Sequence, residues 1–246
     1  MMIILEILVV LVAAAAVVLL LARVAMFKPA PTGRVDDGLY ALKDRFVALY
    51  VLKSGGSLIC FDAGNTCRGV ARGFRDLGLD PGAVTAVFLT HSDRDHVGGL
   101  PLFKNATVYL PEKEEPLVAG AVKRHFLFIA HANRLPVPEY ALIKDGETVL
   151  VGETAVKAVF TPGHTIGSTS YLAGGRFLAV GDLALIKKGR LAAMPKPPSE
   201  DPGTMTKSLK IVDGIEGVAY VLTGHGGILK RRATTPALPP ESPPAS

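Results

Sequence analysis

Tryptophan is absent from the 246 residues, and there are only two cysteines, Cys60 and Cys67. Two thiols seven positions apart cannot build a disulfide framework and lack zinc-ribbon spacing. Cys60 lies in the apolar run Ser57–Phe61, where a small buried hydrophobe is expected. A reducing compartment fits this usage. No Gly-x-Ser-x-Gly occurs and neither cysteine has a histidine near it in sequence, so the usual signs of a serine or cysteine nucleophile are missing. Basic runs interleaved with aromatics are also missing, so the net charge of +5 and pI near 9.2 do not mark a nucleic-acid surface. Arg23, Lys28 and Arg34 at one end and Lys230, Arg231 and Arg232 at the other carry much of that charge outside the expected domain. Juxtamembrane and solubilising charge accounts for them.

Charge is missing altogether from Ile7 to Ala22, between Glu6 and Arg23. With Arg23 snorkelling, residues 3–27 reach the roughly twenty residues needed to span a bilayer. A secretory signal would want a basic start and a small-x-small cleavage site. Nothing basic precedes the run, and Ala22-Arg23-Val24-Ala25 is a poor site. The reading is a retained single-pass anchor over residues 1–27 that contacts the lipid bilayer through 3–27. Its cationic flank lies on the C-terminal side, which by the positive-inside tendency puts the following domain in the cytoplasm.

Residues 28–36, rich in proline and glycine turn signals, read as a linker, and 37–230 as the domain. Within it, strands are expected at Phe46–Lys53 and Ser57–Phe61, then at 83–90, 107–110, 148–151, 155–161, 169–172, 177–180 and 220–222. Residues 66–77 read as an amphipathic helix with Val70, Phe74 and Leu77 on one face, and a second helix is expected over about 204–213. The stretch 231–246 holds repeated prolines and reads as a disordered tail.

Beyond several expected strands stands a ligand-type side chain beside glycine. The strand over 83–90 is followed by His91-Ser92-Asp93-Arg94-Asp95-His96-Val97-Gly98-Gly99, with two imidazoles and two carboxylates in six residues. The strand over 155–161 leads to Thr161-Pro162-Gly163-His164-Thr165-Ile166-Gly167-Ser168. Gly181-Asp182 and Gly224-His225-Gly226 follow the next two motif-bearing strands. A buried strand delivers its last residues rigidly, as a metal site requires. Imidazole nitrogens and carboxylate oxygens suit zinc, iron and manganese. Glycine lets metal and substrate approach the backbone closely.

This set resembles the metallo-β-lactamase superfamily, whose pattern is His-x-His-x-Asp-His followed by a distant His, a bridging Asp and a final His. The intervals of 68, 18 and 43 residues after His96 are ordinary for it. Thr-Pro-Gly-His-Thr-x-Gly-Ser is similar to the glyoxalase II-like branch, and Asp62-Ala63-Gly64 to the family's early Asp-x-Gly support motif. The resemblance covers about residues 38–227. It implies an α/β fold, a four-layer αββα sandwich, with two divalent metal ions, zinc in most members, at one edge. His91 and His164 would bind the first metal, Asp95, His96 and His225 the second, and Asp182 would bridge. The departure is Asp93, where most members have histidine. It offers a harder, anionic donor and opens iron or manganese as occupants, or a weakly held first metal.

What the resemblance implies about activity is hydrolysis. A metal-bound hydroxide oriented by Asp95, with Asp182 holding both metals, would cleave an ester, thioester, lactone or phosphodiester bond in a small-molecule substrate. The alternatives are a diiron redox protein, motivated by Asp93, and a non-catalytic metal-binding module of the same fold. His125 and His131 flank Phe126–Ile129, in a region that in this family often walls the substrate pocket. Surface or core positions are their plainer reading, and substrate binding the one the resemblance adds.

Overall fold

The computed structural model describes residue 6, residues 10–11, and residues 27–126, 129–195 and 199–231. In chain order the first sheet contains β1 (Gly33–Asp36), β2 (Leu39–Asp44), β3 (Val47–Ser54), β4 (Ser57–Phe61), β5 (Val84–Phe88) and β6 (Thr107–Pro111). A separate ribbon pairs β7 (Arg124–Phe126) with β8 (Ile129–His131), and β9 (Ala141–Ile143) returns to the edge of the first sheet beside β6. The second sheet is built from β10 (Thr148–Val151), β11 (Thr154–Phe160), β12 (Thr169–Ala173) and β13 (Phe177–Gly181). After the ribbon β14 (Ala184–Lys187) and β15 (Arg190–Ala193), it is completed by β16 (Tyr220–Thr223) and β17 (Gly227–Lys230). The helices are α1 (Cys67–Asp76), the short α2 (Arg94–Val97) and α3 (Glu115–Val118), and α4 (Pro202–Asp213).

Three apolar layers follow from which faces are hydrophobic. Tyr50, Phe61, Phe88, Ala158, Tyr171, Ala179 and Leu222 form the layer between the two sheets. Leu42, Leu49, Cys60 and Val87 face the other way and take Val70 and Phe74 of α1. Val180 and Val221 take Met205 and Val212 of α4. The chain is therefore an αββα sandwich, as the resemblance implied. β3 is buried along nearly all of VALYVLKS because both of its faces are covered. Burying Val70 and Phe74 stabilises the α1 contact by roughly 1.5–3 kcal/mol each. Thr66 starts α1 by accepting from the Gly69 N–H at 3.1 Å. The helix lies so close to β2 that a Cβ at Gly73 would stand 2.2 Å from Leu42 Cγ, which explains a glycine inside it despite a cost of about 1 kcal/mol against alanine.

The boundaries differ from the sequence reading at the N-terminal edge of the domain. Gly33–Asp36, expected within the linker, pair antiparallel with β2, so the sheet begins before residue 37. Phe27 packs against the α4 layer and the Lys28 N–H donates to the His225 carbonyl at 2.7 Å. Periodicity cannot reveal so short an edge strand. At the other end Arg231, assigned to the tail, donates from its backbone N–H to Ala219 and pairs with Asp213, so it closes the fold. The expected membrane span lies almost wholly outside the described residues, as do 232–246 of the expected tail. No helix among the described residues is long and apolar enough to cross a membrane.

Candidate metal centre

The ends of β5, β11, β13 and β16 meet at one edge of the sandwich. β13 runs parallel to β16, and β11 points the same way because each is antiparallel to β12. Backbone bonds lock these ends together across the sheets, from Thr169 N–H to Thr90 O at 2.9 Å and from Ala48 N–H to Gly224 O at 2.8 Å. The Tyr171 hydroxyl of β12 donates across to Leu89 O at 2.8 Å. His91, His96, His164, Asp182 and His225 emerge there, all buried.

Each imidazole is held through Nδ1. His96 Nδ1 is 2.8 Å from Asp62 Oδ2, and His91 Nδ1 is 2.9 Å from Thr90 Oγ1, which itself donates to Asp62 Oδ2. Asp62 thus orients two rings, one directly and one through Thr90. It does so from a left-handed backbone position, φ 62°, directly after β4. His225 Nδ1 donates to Phe46 O at 2.7 Å, and His164 Nδ1 lies 3.3 Å from Ser199 Oγ. The four Nε2 atoms are left to converge. Two clusters result, His91–His164–Asp182 and Asp95–His96–His225, whose donor atoms lie within 4.8 Å of one another in each. Asp182 stands at both, with Oδ2 3.1 Å from His225 Nε2 and 3.6 Å from His164 Nε2, and Oδ1 3.3 Å from His96 Nε2.

These residues fit a divalent metal on the structure's own terms. His91 Nε2, His96 Nε2 and Asp182 Oδ1 are buried and make no hydrogen bond. A buried polar atom left so costs about 1–3 kcal/mol, which a coordinated cation would remove. Imidazoles fixed through Nδ1 by carboxylate, hydroxyl or carbonyl are the arrangement that metal-ligating histidines adopt. The electrostatics differ between the two clusters. Burial lowers the His91 imidazole well below its ordinary value, aided by the neighbouring His96 and His164. Burial also works to lower His225, but the carboxylates of Asp182 and Asp95 outweigh it and raise it to about 10. Asp182 is held well below the carboxylate range because His225 and His96 overcome its burial.

Asp93 belongs to neither three-residue cluster but borders the first. Its Oδ2 is 3.2 Å from His164 Nε2 and 3.7 Å from His91 Nε2. It is also gripped by Arg124, whose Nε and Nη2 donate at 3.1 and 3.0 Å, and by Asn133 Nδ2 at 3.0 Å. Arg124, Asn133 and Glu114 were not singled out by the sequence reading. Glu114 is fully buried and accepts from Ser92 and Thr165, tying the loop of His91 to the loop of His164. No local pattern marks these residues, because their partners are 22 to 51 positions away. His125 is exposed, and its backbone N–H reaches Glu200 at 3.5 Å. The side chain of His131 lies outside the described residues.

Comparison with known proteins agrees with this geometry. The family model of the metallo-β-lactamase superfamily matches residues 42–225. A probable metallo-hydrolase of Methanocaldococcus jannaschii is 29% identical over 160 residues, covering 65% of this chain and 66% of that protein. A hydroxyacylglutathione hydrolase of Acidiphilium cryptum is 31% identical over 145 residues, covering 58% and 51%. The matched stretches thus span between half and two thirds of these relatives' length. Among solved structures, the Rm3 metallo-β-lactamase superposes with a TM-score of 0.64 at 18% identity, covering 82% and 81% of the two chains. BJP-1, a subclass B3 metallo-β-lactamase of Bradyrhizobium japonicum, gives 0.60 at 20%, covering 81% and 79%. At such identities the structures speak for the fold alone. With the family pattern spread over most of its length and the ligand set assembled at the sheet edge, the chain belongs to the metallo-β-lactamase superfamily.

Proposed function

We propose that this protein is a metal-dependent hydrolase of small-molecule esters, thioesters, lactones or phosphodiesters. The observation that carries the reading is the convergence of four Nδ1-anchored imidazoles with Asp95 and Asp182 at one sheet edge. His91, His164 and Asp182 would hold one divalent ion and Asp95, His96 and His225 another, with zinc the expected metal. Bound there, a divalent ion lowers the pKa of water towards 7 and polarises the bond to be cleaved. Asp95 has the roles left to a carboxylate at the rim. Its side chain is 22% exposed, and Oδ2 lies 3.2 Å from His225 Nε2, so it can accept a proton from water while keeping its place. Asp182, nearly buried, keeps the two imidazole clusters at fixed separation. The hydroxyacylglutathione hydrolases among the relatives put thioesters first among substrates. The diiron alternative rests on Asp93, whose carboxylate is engaged by Arg124 and Asn133.

Residues 3–27 would hold this domain to a bilayer, on its cytoplasmic side. The uncharged run from Ile7 to Ala22 supports that reading, while Phe27, its ring 4.7 Å from that of His225, already belongs to the domain. The test of the hydrolase reading is metal analysis of the purified protein together with turnover of chromogenic ester, thioester, lactone and phosphodiester substrates. Wild type should cleave at least one class, and Asp182→Ala should lose at least one metal and most of that activity. Near-normal turnover by Asp182→Ala would sink the dinuclear arrangement, and a metal-loaded wild type that cleaves no class would sink the hydrolase.

A further inference from the structure

The two ligand clusters are not equivalent, and the difference is a guanidinium. Arg124 leaves β7 with its side chain almost wholly buried, 3% exposed, between the loops of His91 and His164. Its Nη2 donates to Asp93 Oδ2 at 3.0 Å and lies 3.2 Å from His164 Nε2. His164 is tied to Ser199 through Nδ1, so Nε2 is the atom with which it would meet a metal. With Nε2 unprotonated, as a metal requires, the guanidinium N–H donates to its lone pair. With Nε2 protonated, the ring donates to Asp93 Oδ2 at 3.2 Å, and in both tautomers the atom a first-site metal requires is engaged. Asp93, standing where most of the family has a neutral histidine, has both oxygens engaged by Arg124, with Asn133 adding a third donor. Glu200 pairs with Arg124 Nη1 at 3.1 Å and completes the grip. Around Asp95, His96 and His225, by contrast, no lysine or arginine side chain among the described residues hydrogen-bonds or pairs with any of the three.

We propose that Arg124 is a built-in competitor for the first metal position, so that the chain loads its two metals unequally. The Asp95–His96–His225 cluster fills first and tightly. The His91–His164 cluster fills second and weakly, because a metal there must displace the Arg124 N–H from His164 Nε2 and share Asp93 with a guanidinium. The inference rests on the metal-binding part of the hydrolase reading and not on turnover. A buried guanidinium near the first position also opposes a divalent cation by like-charge repulsion, which is strong where solvent is excluded. Its planar fork makes a two-point grip on the carboxylate that lysine cannot reproduce.

The test is titration of Co(II), followed by visible absorption and calorimetry, into metal-free full-length protein in detergent. Wild type should show two classes of site, the second at least ten-fold weaker. Arg124→Ala should tighten the second class by ten-fold or more and leave the first within about two-fold, with circular dichroism reporting a retained fold. Arg124→Lys should fall between the two. If Arg124 merely braced Asp93 as a ligand, its removal would loosen the second class instead, by the 10–100-fold usual for such supporting residues. That result overturns the proposal, as does wild type with two equal classes. Should Arg124→Ala fail to fold, the wild-type titration and Arg124→Lys still decide. Protein that loads metal unequally yet cleaves nothing would refute the hydrolase and leave this inference standing.

Discussion

At the scale of single residues, Asp62 shows how much of the centre is arranged from beneath. Its two carboxylate oxygens take the Thr90 N–H at 2.7 Å, the Thr90 hydroxyl at 2.9 Å and His96 Nδ1 at 2.8 Å. One side chain thus fixes the tautomer and direction of two imidazoles. Asp62→Asn keeps the shape and tolerates the left-handed backbone, but loses the charge and one acceptor. Metal affinity, measured against a competing chelator, should fall roughly 10–100-fold with the fold intact. An unchanged affinity would mean that Asp62 supports the loop and not the ligands. This residue was legible in the sequence, as the Asp-x-Gly motif after an apolar strand. Glu114 was not, because a carboxylate in Pro111–Glu115 reads as a helix start until Ser92 and Thr165 are brought to it.

At the scale of elements, the turns that follow the strands need glycine for lack of room. A Cβ on Gly224 would stand 2.6 Å from Asp182 Oδ1 and 2.8 Å from His96 Cε1, closer than real contacts allow. Gly224 has no positive φ, so Gly224→Ala is tolerated by the backbone and acts by pushing two ligands apart. The expected outcome is a loss of metal affinity of about ten-fold or more with a small change in Tm, read by metal content and thermal unfolding. Full metal content in Gly224→Ala would show that the β16 turn can give way without moving His96 or Asp182. The nine expected strands matched to within a residue or two, since runs such as β3, β5 and β13 are nearly continuously apolar and covered on both faces, but β2, β9, β14, β15 and β17 were not expected. The β7–β8 ribbon was not, because three-residue strands carry no periodic signal.

At the scale of the whole molecule, Phe27, where the described domain begins, is a neighbour of the candidate metal centre. Phe27 packs its ring tilted against His225 at 4.7 Å, and Phe46 stacks on the same imidazole at 5.8 Å. Removing residues 1–26 should leave a folded domain that keeps its metal. Removing residues 1–31 also strips the Phe27 ring and the Lys28 N–H from His225, and should weaken metal binding relative to the shorter truncation. Metal content of the two truncated proteins after identical reconstitution decides. Equal content would show that Phe27 and Lys28 contribute nothing to the site. An aggregated, metal-free product from the shorter truncation would place residues 1–26 in the core.

The sequence by itself, through its resemblance to a known family, determined the αββα fold, and it marked which histidines and aspartates cluster. The clustering is written locally, as apolar strands ending in glycine beside histidine or aspartate, and a buried strand end leaves its next side chain few directions. Only the tertiary structure decided the fate of Asp93. Its position within the motif says that a carboxylate stands among ligands. Whether that carboxylate faces a metal or a guanidinium depends on Arg124 and Asn133, which arrive from 31 and 40 positions away. Ion pairs between distant segments leave no periodic trace in a chain, because charge acts through space and not along the backbone.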